Sequence, residues 1–372
     1  MKIILADSVA LGKEAFQDLG EVSLFPESEF TQDAIRHADV VVTRSKTKLV
    51  PELFEGSSVR FAGTCTAGLD HADPKGLKAM GIHFAHAPGC NANAVSEYIL
   101  AALLESGQEI GGKTVGIIGH GQVGTRVDRK LTALGCRILR HDPPKQKAGE
   151  TGPYVDLDKI LSESDILTLH VPLIEEGPTP TRGMVGTAEI QKLKPGAMLL
   201  NACRGEALDA EAACTARAAG NISWLVLDVW DPEPEIPPLQ LAVADLASPH
   251  IAGHSVEGKV NGTRQIREAV VHHFGLKVDP WDPEPLMPSP EQPDVVLSPE
   301  GTLEERLRTC VRAAHNVYVD DKELREAEGP MGERFTRLRR SYRDRREFHA
   351  IRVHGLREFE RDLYTSLGFQ AG

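Results

Sequence analysis

The segment KTVGIIGHGQVG, residues 113–124, constrains the fold more than any other part of the 372-residue sequence. Its apolar run is typical of a buried strand, and three glycines follow it at the spacing of a strand-to-helix turn that binds a pyrophosphate. Gly119 permits the tight turn, Gly121 lets the backbone approach phosphate oxygens, and Gly124 lets the helix pack against the sheet. The segment therefore predicts a parallel α/β domain that binds a dinucleotide at a helix N-terminus.

An acidic residue after the next predicted strand completes this pattern. Asp142 follows the predicted strand CRILRH, at the place where the ribose hydroxyls of a dinucleotide are expected. A carboxylate there repels a 2′-phosphate, so we expect NAD as the cofactor in preference to NADP, although Arg140 and Lys145 lie close by in the sequence. A tight turn that binds no cofactor is the alternative interpretation of the glycines alone.

Strand-like apolar runs alternate with helical segments over most of the chain, which is typical of parallel α/β sheets. A first series contains IILAD, DVVVTRS, RFAGTCTAG and GIHFAHAPG. The helical segment NAVSEYILAALLE separates it from a second series of five or six strands, which begins with the glycine motif. Seven prolines lie between Pro280 and Pro299, a density that predicts a connector to a third, arginine-rich region.

The fold class expected from these patterns is α/β, with two doubly wound parallel-sheet domains and a small α+β carboxyl-terminal domain. We expect residues 1–92 and 254–285 to form a substrate-binding domain, and residues 93–253 to form a Rossmann domain that binds NAD. Residues 286–372 are expected to form the third domain.

Composition and charge exclude several classes of protein. A formal net charge of −12 argues against nucleic-acid binding, although seven arginines lie between Arg334 and Arg346. No apolar run approaches the roughly 18 residues of a membrane span, and the opening MKIILADS lacks the features of a signal peptide. Six widely spaced cysteines without a CxxC pair suit free thiols, so we expect a cytoplasmic protein with no metal site.

Three polar residues follow predicted strands of the second series. Arg204 comes after AMLLNAC, Glu233 after WLVLDVW, and His250 after LAVADLA. Ligands of open α/β sheets bind at the carboxyl ends of the strands, so we expect these side chains beside the nicotinamide. Together they suit oxidation of a 2-hydroxy acid, which needs a cation for the carboxylate and a base for the hydroxyl proton. Taken singly, they could equally be a salt-bridge partner, a solvated loop acid and a capping histidine.

The segments VGIIGHGQVG, LKPGAMLLNACRGEALD, LDVWDPEP and SPHIAG resemble the D-isomer-specific 2-hydroxyacid dehydrogenases, over roughly residues 1–275. GTCTAGLDHAD, APGCNANAVSEY, HDPPK, HVPLIEEGP and the arginine-rich tail are most similar to a branch of that family that works in vitamin B6 (pyridoxine) biosynthesis. The resemblance implies an NAD-dependent oxidoreductase that acts on a small phosphorylated hydroxy acid. It also implies a homodimer, formed through residues 286–372.

The resemblance further implies roles for individual residues. Arg204 and Glu233 would be active-site residues, and His250 would transfer the proton. Contacts to NAD would come from the glycine motif and from loops that follow the strands: Gly119, Gly121, Gln122, Val123, Gly124, Asp142, Val171, Ala202, Cys203, Arg204, Asp228 and Gly253. Substrate contacts would come from Ser45, Thr66 and His254, the last standing where that branch of the family has a tyrosine.

A second anion site is expected in the first domain. Arg44, Ser45 and Lys46 follow the strand DVVVT, with Thr66 at the matching end of the neighbouring strand. Two cations and hydroxyls there suit the phosphate of an acid whose carboxylate Arg204 holds, and the resemblance then implies 4-phospho-D-erythronate as the substrate. Three alternatives stay open: ordinary surface cations, another D-2-hydroxy acid such as 3-phosphoglycerate or glycerate, and an NAD-sensing binding protein without turnover.

Overall fold

The computed structural model describes all 372 residues of the chain. The chain divides into two compact units: residues 1–91 with 255–288, and residues 92–254 with 289–372. Two parallel sheets flanked by helices and a small third sheet confirm the predicted fold class. The division into three domains stays a prediction, since residues 289–372 belong to the same compact unit as the second sheet. All six cysteines are free thiols, and no helix has the length and apolar character needed to cross a membrane.

The strands are β1 (Lys2–Ala6), β2 (Glu21–Phe25), β3 (Val40–Thr43), β4 (Phe61–Thr64), β5 (His83–His86), β6 (Thr114–Ile118), β7 (Arg137–His141), β8 (Ile166–Leu169), β9 (Ala197–Asn201), β10 (Ile222–Leu227), β11 (Leu246–Ala247), β12 (Asp294–Val296), β13 (Arg352–His354) and β14 (Gln370–Ala371).

The helices are α1 (Gly12–Phe16), α2 (Gln32–Ile35), α3 (Pro51–Phe54), α4 (Pro74–Ala79), α5 (Ala92–Glu105), α6 (Gln122–Ala133), α7 (Pro143–Lys147), α8 (Leu157–Glu163), α9 (Thr187–Ile190), α10 (Ala210–Ala218), α11 (Pro238–Val243), α12 (Val256–Phe274), α13 (Leu303–Ala314), α14 (Val317–Glu326), α15 (Met331–Arg340) and α16 (Arg361–Leu367).

The sheet of the first unit has the strand order β2-β1-β3-β4-β5, with every pair parallel. All four residues of β3 and of β4 are buried, because helices cover both faces of a parallel sheet and favour unbroken apolar runs. Register pairs Thr43 with Thr64, so the loops after β3 and β4 begin at the same edge. The edge strand β2 is partly exposed, and its mixed sequence EVSLF had given no strand prediction.

The sheet of the second unit has the order β11-β10-β9-β8-β6-β7, again wholly parallel. Strand order reverses between β6 and β8, which is where doubly wound sheets bind ligands. Register aligns Asn201 with Leu227, and Leu227 with Ala247. The loops after β9, β10 and β11 therefore leave the sheet side by side at its carboxyl edge.

The last part of the chain follows the proline-rich segment, which contains only a short 3-10 helix, Glu284–Leu286, before β12. Strands β12, β13 and β14 form a parallel three-stranded sheet with α13–α16 around it. Apolar side chains of this part, among them Val311, Phe348 and Leu367, share one buried cluster with Tyr98 of α5 and Val127 of α6. The carboxyl-terminal part thus packs on the first two helices of the nucleotide-binding half.

Candidate active site

The glycine loop between β6 and α6 has the geometry that a dinucleotide requires. Gly119 adopts a left-handed backbone, with φ of 87°, and a Cβ on Gly124 would collide with the Gly119 carbonyl. Gly121 caps the 12-residue helix α6, and a Cβ there would meet nothing within 4 Å. The N-terminus of α6 therefore begins at a glycine with open space beside it, and these residues fit the pyrophosphate of NAD.

Asp142 lies directly after β7, the strand next to β6. Its Oδ2 accepts a hydrogen bond of 2.9 Å from the backbone N–H of His120, within the glycine loop. Its Oδ1 accepts from the N–H of Lys145 at 3.2 Å, as the cap of α7. The half-buried carboxylate therefore sits beside the predicted pyrophosphate site, where a ribose would be expected.

The two basic residues near Asp142 are both paired with acids. Arg140 Nε donates to Asp128 at 2.7 Å, and Lys145 Nζ donates to Glu150 at 3.0 Å. A 2′-phosphate of NADP would have to compete with these carboxylates for its cations. The pairing accordingly favours NAD.

Arg204 lies three residues beyond β9, in a half-buried position. The side-chain amide of Asn201 donates to the Arg204 carbonyl oxygen at 2.9 Å, and Arg204 Nη1 donates to the Cys203 carbonyl at 2.8 Å. Gly205 packs so closely on the Trp230 carbonyl that a Cβ there would collide with it. The loop that carries Arg204 therefore lies directly against the loop that leads to Glu233.

Glu233 and His250, two of the three polar residues that follow predicted strands, lie in hydrogen-bond contact. His250 Nδ1 lies 2.9 Å and 3.1 Å from the two carboxylate oxygens of Glu233. Because Glu233 engages Nδ1, Nε2 is the ring nitrogen available to exchange a proton with a substrate. His250 has φ of 57°, a left-handed conformation uncommon outside glycine, so its surroundings must hold it in place.

The charge state of Glu233 follows from its contacts. Burial alone would raise the pKa of Glu233, but the hydrogen bond and charge of His250 and a 3.1 Å bond from the Trp230 N–H hold it below its usual value. Glu233 is therefore ionised at neutral pH. An ionised partner at Nδ1 stabilises an imidazolium when His250 accepts a proton at Nε2.

Asp228 holds the loop that carries His250. Its buried carboxylate accepts hydrogen bonds from Ser248 Oγ at 2.6 Å, from the Ile251 N–H at 2.8 Å and from the Ala252 N–H at 3.0 Å. Its carbonyl oxygen accepts from the His250 N–H at 2.7 Å, and burial raises the pKa of the carboxyl group. From the sequence, Asp228 is expected only to contact NAD, because its position directly after a buried strand gives no signal of this supporting role.

The remaining predicted NAD contacts lie around the same edge. Cys203 is buried, and its Sγ lies 3.2 Å from Asn201 Oδ1; burial raises the pKa of the thiol. Val171 follows β8 and packs against Gly119. The other members of the predicted set occupy the first turn of α6 or the strand-end loops: Gln122, Val123, Ala202 and Gly253. Their contact with NAD stays a prediction.

The predicted phosphate-binding residues belong to the first unit. Arg44, Ser45 and Lys46 follow β3, and the last two are exposed. Thr66 follows β4 at the same edge, and its hydroxyl lies 3.0 Å from Thr64 Oγ1 and 2.9 Å from the Gly68 carbonyl. The structure thus brings these four residues to one edge of the first sheet.

Comparison with known proteins agrees with this architecture. Residues 91–252 match the model of the D-isomer specific 2-hydroxyacid dehydrogenase NAD-binding domain, and residues 286–368 match a domain of unknown function. Curated erythronate-4-phosphate dehydrogenases from Cronobacter sakazakii and Salmonella arizonae are each 40% identical to the chain, over 100% of its length and 98% of theirs.

Solved structures share the fold at lower identity. A D-lactate dehydrogenase from Treponema pallidum has a TM-score of 0.62 at 22% identity, covering 75% of this chain and 99% of its own. An NAD⁺-bound 3-phosphoglycerate dehydrogenase from Entamoeba histolytica has a TM-score of 0.61 at 24% identity, covering 74% and 95%. The chain is an NAD-dependent oxidoreductase, and it belongs to the D-isomer-specific 2-hydroxyacid dehydrogenase family, together with the erythronate-4-phosphate dehydrogenases that it matches over its full length.

Proposed function

We propose that the protein oxidises 4-phospho-D-erythronate to (3R)-3-hydroxy-2-oxo-4-phosphooxybutanoate, in the biosynthesis of pyridoxal 5′-phosphate. The names of its full-length relatives support the substrate. The observation that carries the chemistry is the 2.9 Å contact between His250 Nδ1 and Glu233, on loops that adjoin the Arg204 loop. A base, its orienting acid and a guanidinium then stand at the carboxyl edge of the nucleotide-binding sheet.

Arg204 binds the substrate carboxylate in this proposal. A guanidinium can donate two parallel hydrogen bonds to a carboxylate, which fixes the rotation of the acid as well as its position. The half-buried setting of Arg204 strengthens such bonds relative to bulk water. Held this way, C2 keeps its hydrogen and its hydroxyl in defined directions.

His250 removes the hydroxyl proton. Its Nε2 accepts the proton of the C2 hydroxyl while the C2–O bond becomes double and the C2–H bond breaks with its electron pair. NAD, when bound, supplies the acceptor for that hydride. The Glu233 carboxylate at Nδ1 keeps the imidazole in the tautomer with a vacant Nε2 and stabilises the imidazolium that forms. In the reverse direction His250 returns the proton to the carbonyl oxygen.

Arg44, Ser45 and Lys46 bind the phosphate of the substrate. They supply two cations and a hydroxyl after β3, and Thr66 adds a second hydroxyl at the same edge of the first sheet. Exposed cations of this kind suit a doubly charged phosphate group, which brings its own charge to the site. His254 would contact the substrate in place of the tyrosine of the related branch.

We also propose a cytoplasmic homodimer. Five of the eight large apolar side chains that are exposed lie within residues 286–372, the region predicted to form the dimer: Leu286, Val296, Tyr318, Val319 and Phe359. Such side chains suit the core of an interface with a second copy. The six buried free thiols suit a reducing compartment.

The test is NADH formation with a panel of acids: 4-phospho-D-erythronate, D-erythronate, 3-phospho-D-glycerate and D-glycerate. We expect the highest kcat/KM for 4-phospho-D-erythronate. A higher kcat/KM for a three-carbon acid would mean that the substrate is that acid and not 4-phospho-D-erythronate. Tight NADH binding without turnover of any acid would instead indicate the NAD-sensing binding protein.

A further inference from the structure

The segment that follows α15 lies against the loop that carries His250, defined here as the catalytic loop (residues 248–254). Arg345 Nη2 donates a hydrogen bond of 3.1 Å to the Ala252 carbonyl oxygen. The ring of Tyr342 packs edge-to-face on the ring of His254, with centroids 5.8 Å apart. Arg345 is only 3% exposed, so this contact is part of the protein interior. The carboxyl-terminal part of the chain therefore contacts the catalytic loop at Ala252 and at His254, which lie two and four residues after His250.

Arg345 itself is held by α5. Its Nη1 lies 3.7 Å from the carboxylate of Glu97, which is buried at 1% exposure. The other Glu97 oxygen accepts from the Phe348 N–H at 3.1 Å, and Asn93 joins Glu97 to Glu347 with bonds of 2.9 Å and 2.6 Å. The stretch around Arg345 is thus bound to a long buried helix and has little freedom of its own.

The hydroxyl end of Tyr342 is held by a second group of residues. Its hydroxyl donates to Asp320 at 3.2 Å and lies 3.3 Å from His315 Nε2. His315 and Asp320 are themselves joined at 2.9 Å, and Arg343 lies 2.7 Å from Asp320. This buried polar cluster fixes the plane of the Tyr342 ring against His254.

The carboxyl-terminal part of the chain also contacts the loop that carries Glu233. Gly332, in the first turn of α15, packs so closely on Glu235 that a Cβ there would collide with the Glu235 carboxylate. Glu235 lies two residues after Glu233. Residues 331–347, called the support segment below, therefore contact both loops that carry the proton-transfer pair.

We infer that Arg345 and Tyr342 are positioning residues for proton transfer, and that the support segment keeps His250 aligned with Glu233. The inference rests on the proposed function. Its physical basis is the left-handed backbone of His250, which is unfavourable for a residue with a side chain. Asp228 accepts hydrogen bonds from N–H groups of the catalytic loop, and Arg345 donates one to its Ala252 carbonyl. Backbone donors and a backbone acceptor of the loop are therefore both hydrogen-bonded.

The test compares Arg345→Met with Arg308→Met in the full-length enzyme. Arg308 is the matched control, because its Nε donates to another backbone carbonyl, that of Leu104, at 2.7 Å. We expect kcat for 4-phospho-D-erythronate to fall about tenfold to a hundredfold in Arg345→Met, with KM and the Kd for NADH within about twofold. Arg308→Met should keep kcat within about twofold of wild type. Tyr342→Leu should lower kcat in the same sense as Arg345→Met.

A readout that does not depend on turnover is the ¹³C-histidine NMR signal of His250, assigned by its loss in His250→Gln. We expect this signal to shift in Arg345→Met and to stay in place in Arg308→Met. The double variant Glu97→Gln/Arg345→Met also removes the ionisable carboxyl group that Arg345 faces, and should recover thermal stability without recovering kcat. Recovery of kcat together with stability would mean a purely structural role and would overturn the inference.

The variant His250→Gln distinguishes a failure of the proposed function from a failure of the positioning role. If His250→Gln turns over like wild type, the proposed function is wrong. If His250→Gln is inactive while Arg345→Met matches Arg308→Met in kcat and in the His250 signal, the proposed function stands and the positioning role alone is wrong.

Discussion

The carboxyl edges of the two large sheets differ in how they hold their functional side chains. At the edge of the second sheet, the catalytic loop is bound by the Asp228 carboxylate through three hydrogen bonds, by the Asp228 carbonyl through a fourth and by Arg345 through a fifth. At the edge of the first sheet, Ser45 and Lys46 are exposed. Parallel strands bring polar residues to one edge in both sheets, but the second sheet encloses its proton-transfer pair in a network, whereas Ser45 and Lys46 lie at the surface.

The difference follows the demands of the two tasks. Proton transfer requires an orientation of the imidazole that is fixed before substrate arrives, because reorganisation during the reaction would add to the barrier. Phosphate recognition tolerates mobile cations, because the ligand carries a strong charge that orders them on binding. Substitutions in the network that holds His250 and Glu233 are therefore expected to lower kcat, and those at Arg44–Lys46 to change the preference for phosphorylated acids.

Among the residues that bind substrate or cofactor, the largest effect is expected at Arg204. Arg204→Lys keeps the charge but loses the planar pair of donors. We predict a fall in kcat/KM of about a hundredfold or more, equivalent to ~3 kcal/mol of transition-state stabilisation, with NAD binding largely retained. Steady-state kinetics and an NADH titration measure the two quantities. Near-normal turnover in a folded variant would show that Arg204 has no part in the mechanism. The proposed difference between the edges of the two sheets would then lose its main support.

A smaller effect is expected at Asp142, where the edge of the second sheet binds cofactor instead of substrate. Asp142→Ala should weaken NAD and relatively improve NADP, since the carboxylate that repels a 2′-phosphate is gone. We expect the ratio of kcat/KM for the two cofactors to move toward NADP by about tenfold, the ~1.4 kcal/mol of one charged hydrogen bond. If the ratio is unchanged, Asp142 serves only to cap α7 and hold the His120 N–H.

A third effect concerns stability instead of activity and probes the network behind Arg345. Burial, and then the charge of Glu347, raise the pKa of Glu97 to about 8, while Lys130 and Arg345 oppose the rise. The stability gained by keeping that proton is fully present below pH ~4.5, the ordinary glutamate pKa, and is lost as the pH rises through about 8. The free energy of unfolding should fall across this range, by at most ~1.4 kcal/mol per pH unit.

The matched variant for this prediction is Glu97→Gln, which cannot ionise. Urea unfolding between pH 6 and pH 9 should give a flatter dependence for Glu97→Gln than for wild type. Equal slopes in the two proteins would show that Glu97 does not carry the proton.

Much of the fold could be predicted because parallel strands leave a strong signal in sequence. Buried runs such as VVVT of β3 and AMLLN of β9 are apolar on both faces, and the glycine loop reports its backbone geometry directly. The edge strand β2 was missed because its exposed residues interrupt the apolar pattern.

The site was predictable only in part, for a physical reason. Residues at strand ends, such as Arg204 and His250, are placed by the topology and can be found from sequence order. The supports of the catalytic loop come from residues far away in sequence: Arg345 meets Ala252 across 93 positions. Such contacts depend on how the carboxyl-terminal part packs on α5, and no local pattern records them.

The most direct test of the account is the ratio of kcat/KM for 4-phospho-D-erythronate over D-erythronate, measured in wild type, Ser45→Ala/Lys46→Ala and His250→Gln. We predict a ratio of at least about a hundredfold in wild type, ~3 kcal/mol from charge-assisted hydrogen bonds to the phosphate. The ratio should shrink in Ser45→Ala/Lys46→Ala, whereas His250→Gln should lower both values by about a thousandfold and leave the ratio unchanged. Equal activity of the wild-type enzyme on the two acids would contradict the account, because the phosphate would then have no binding site.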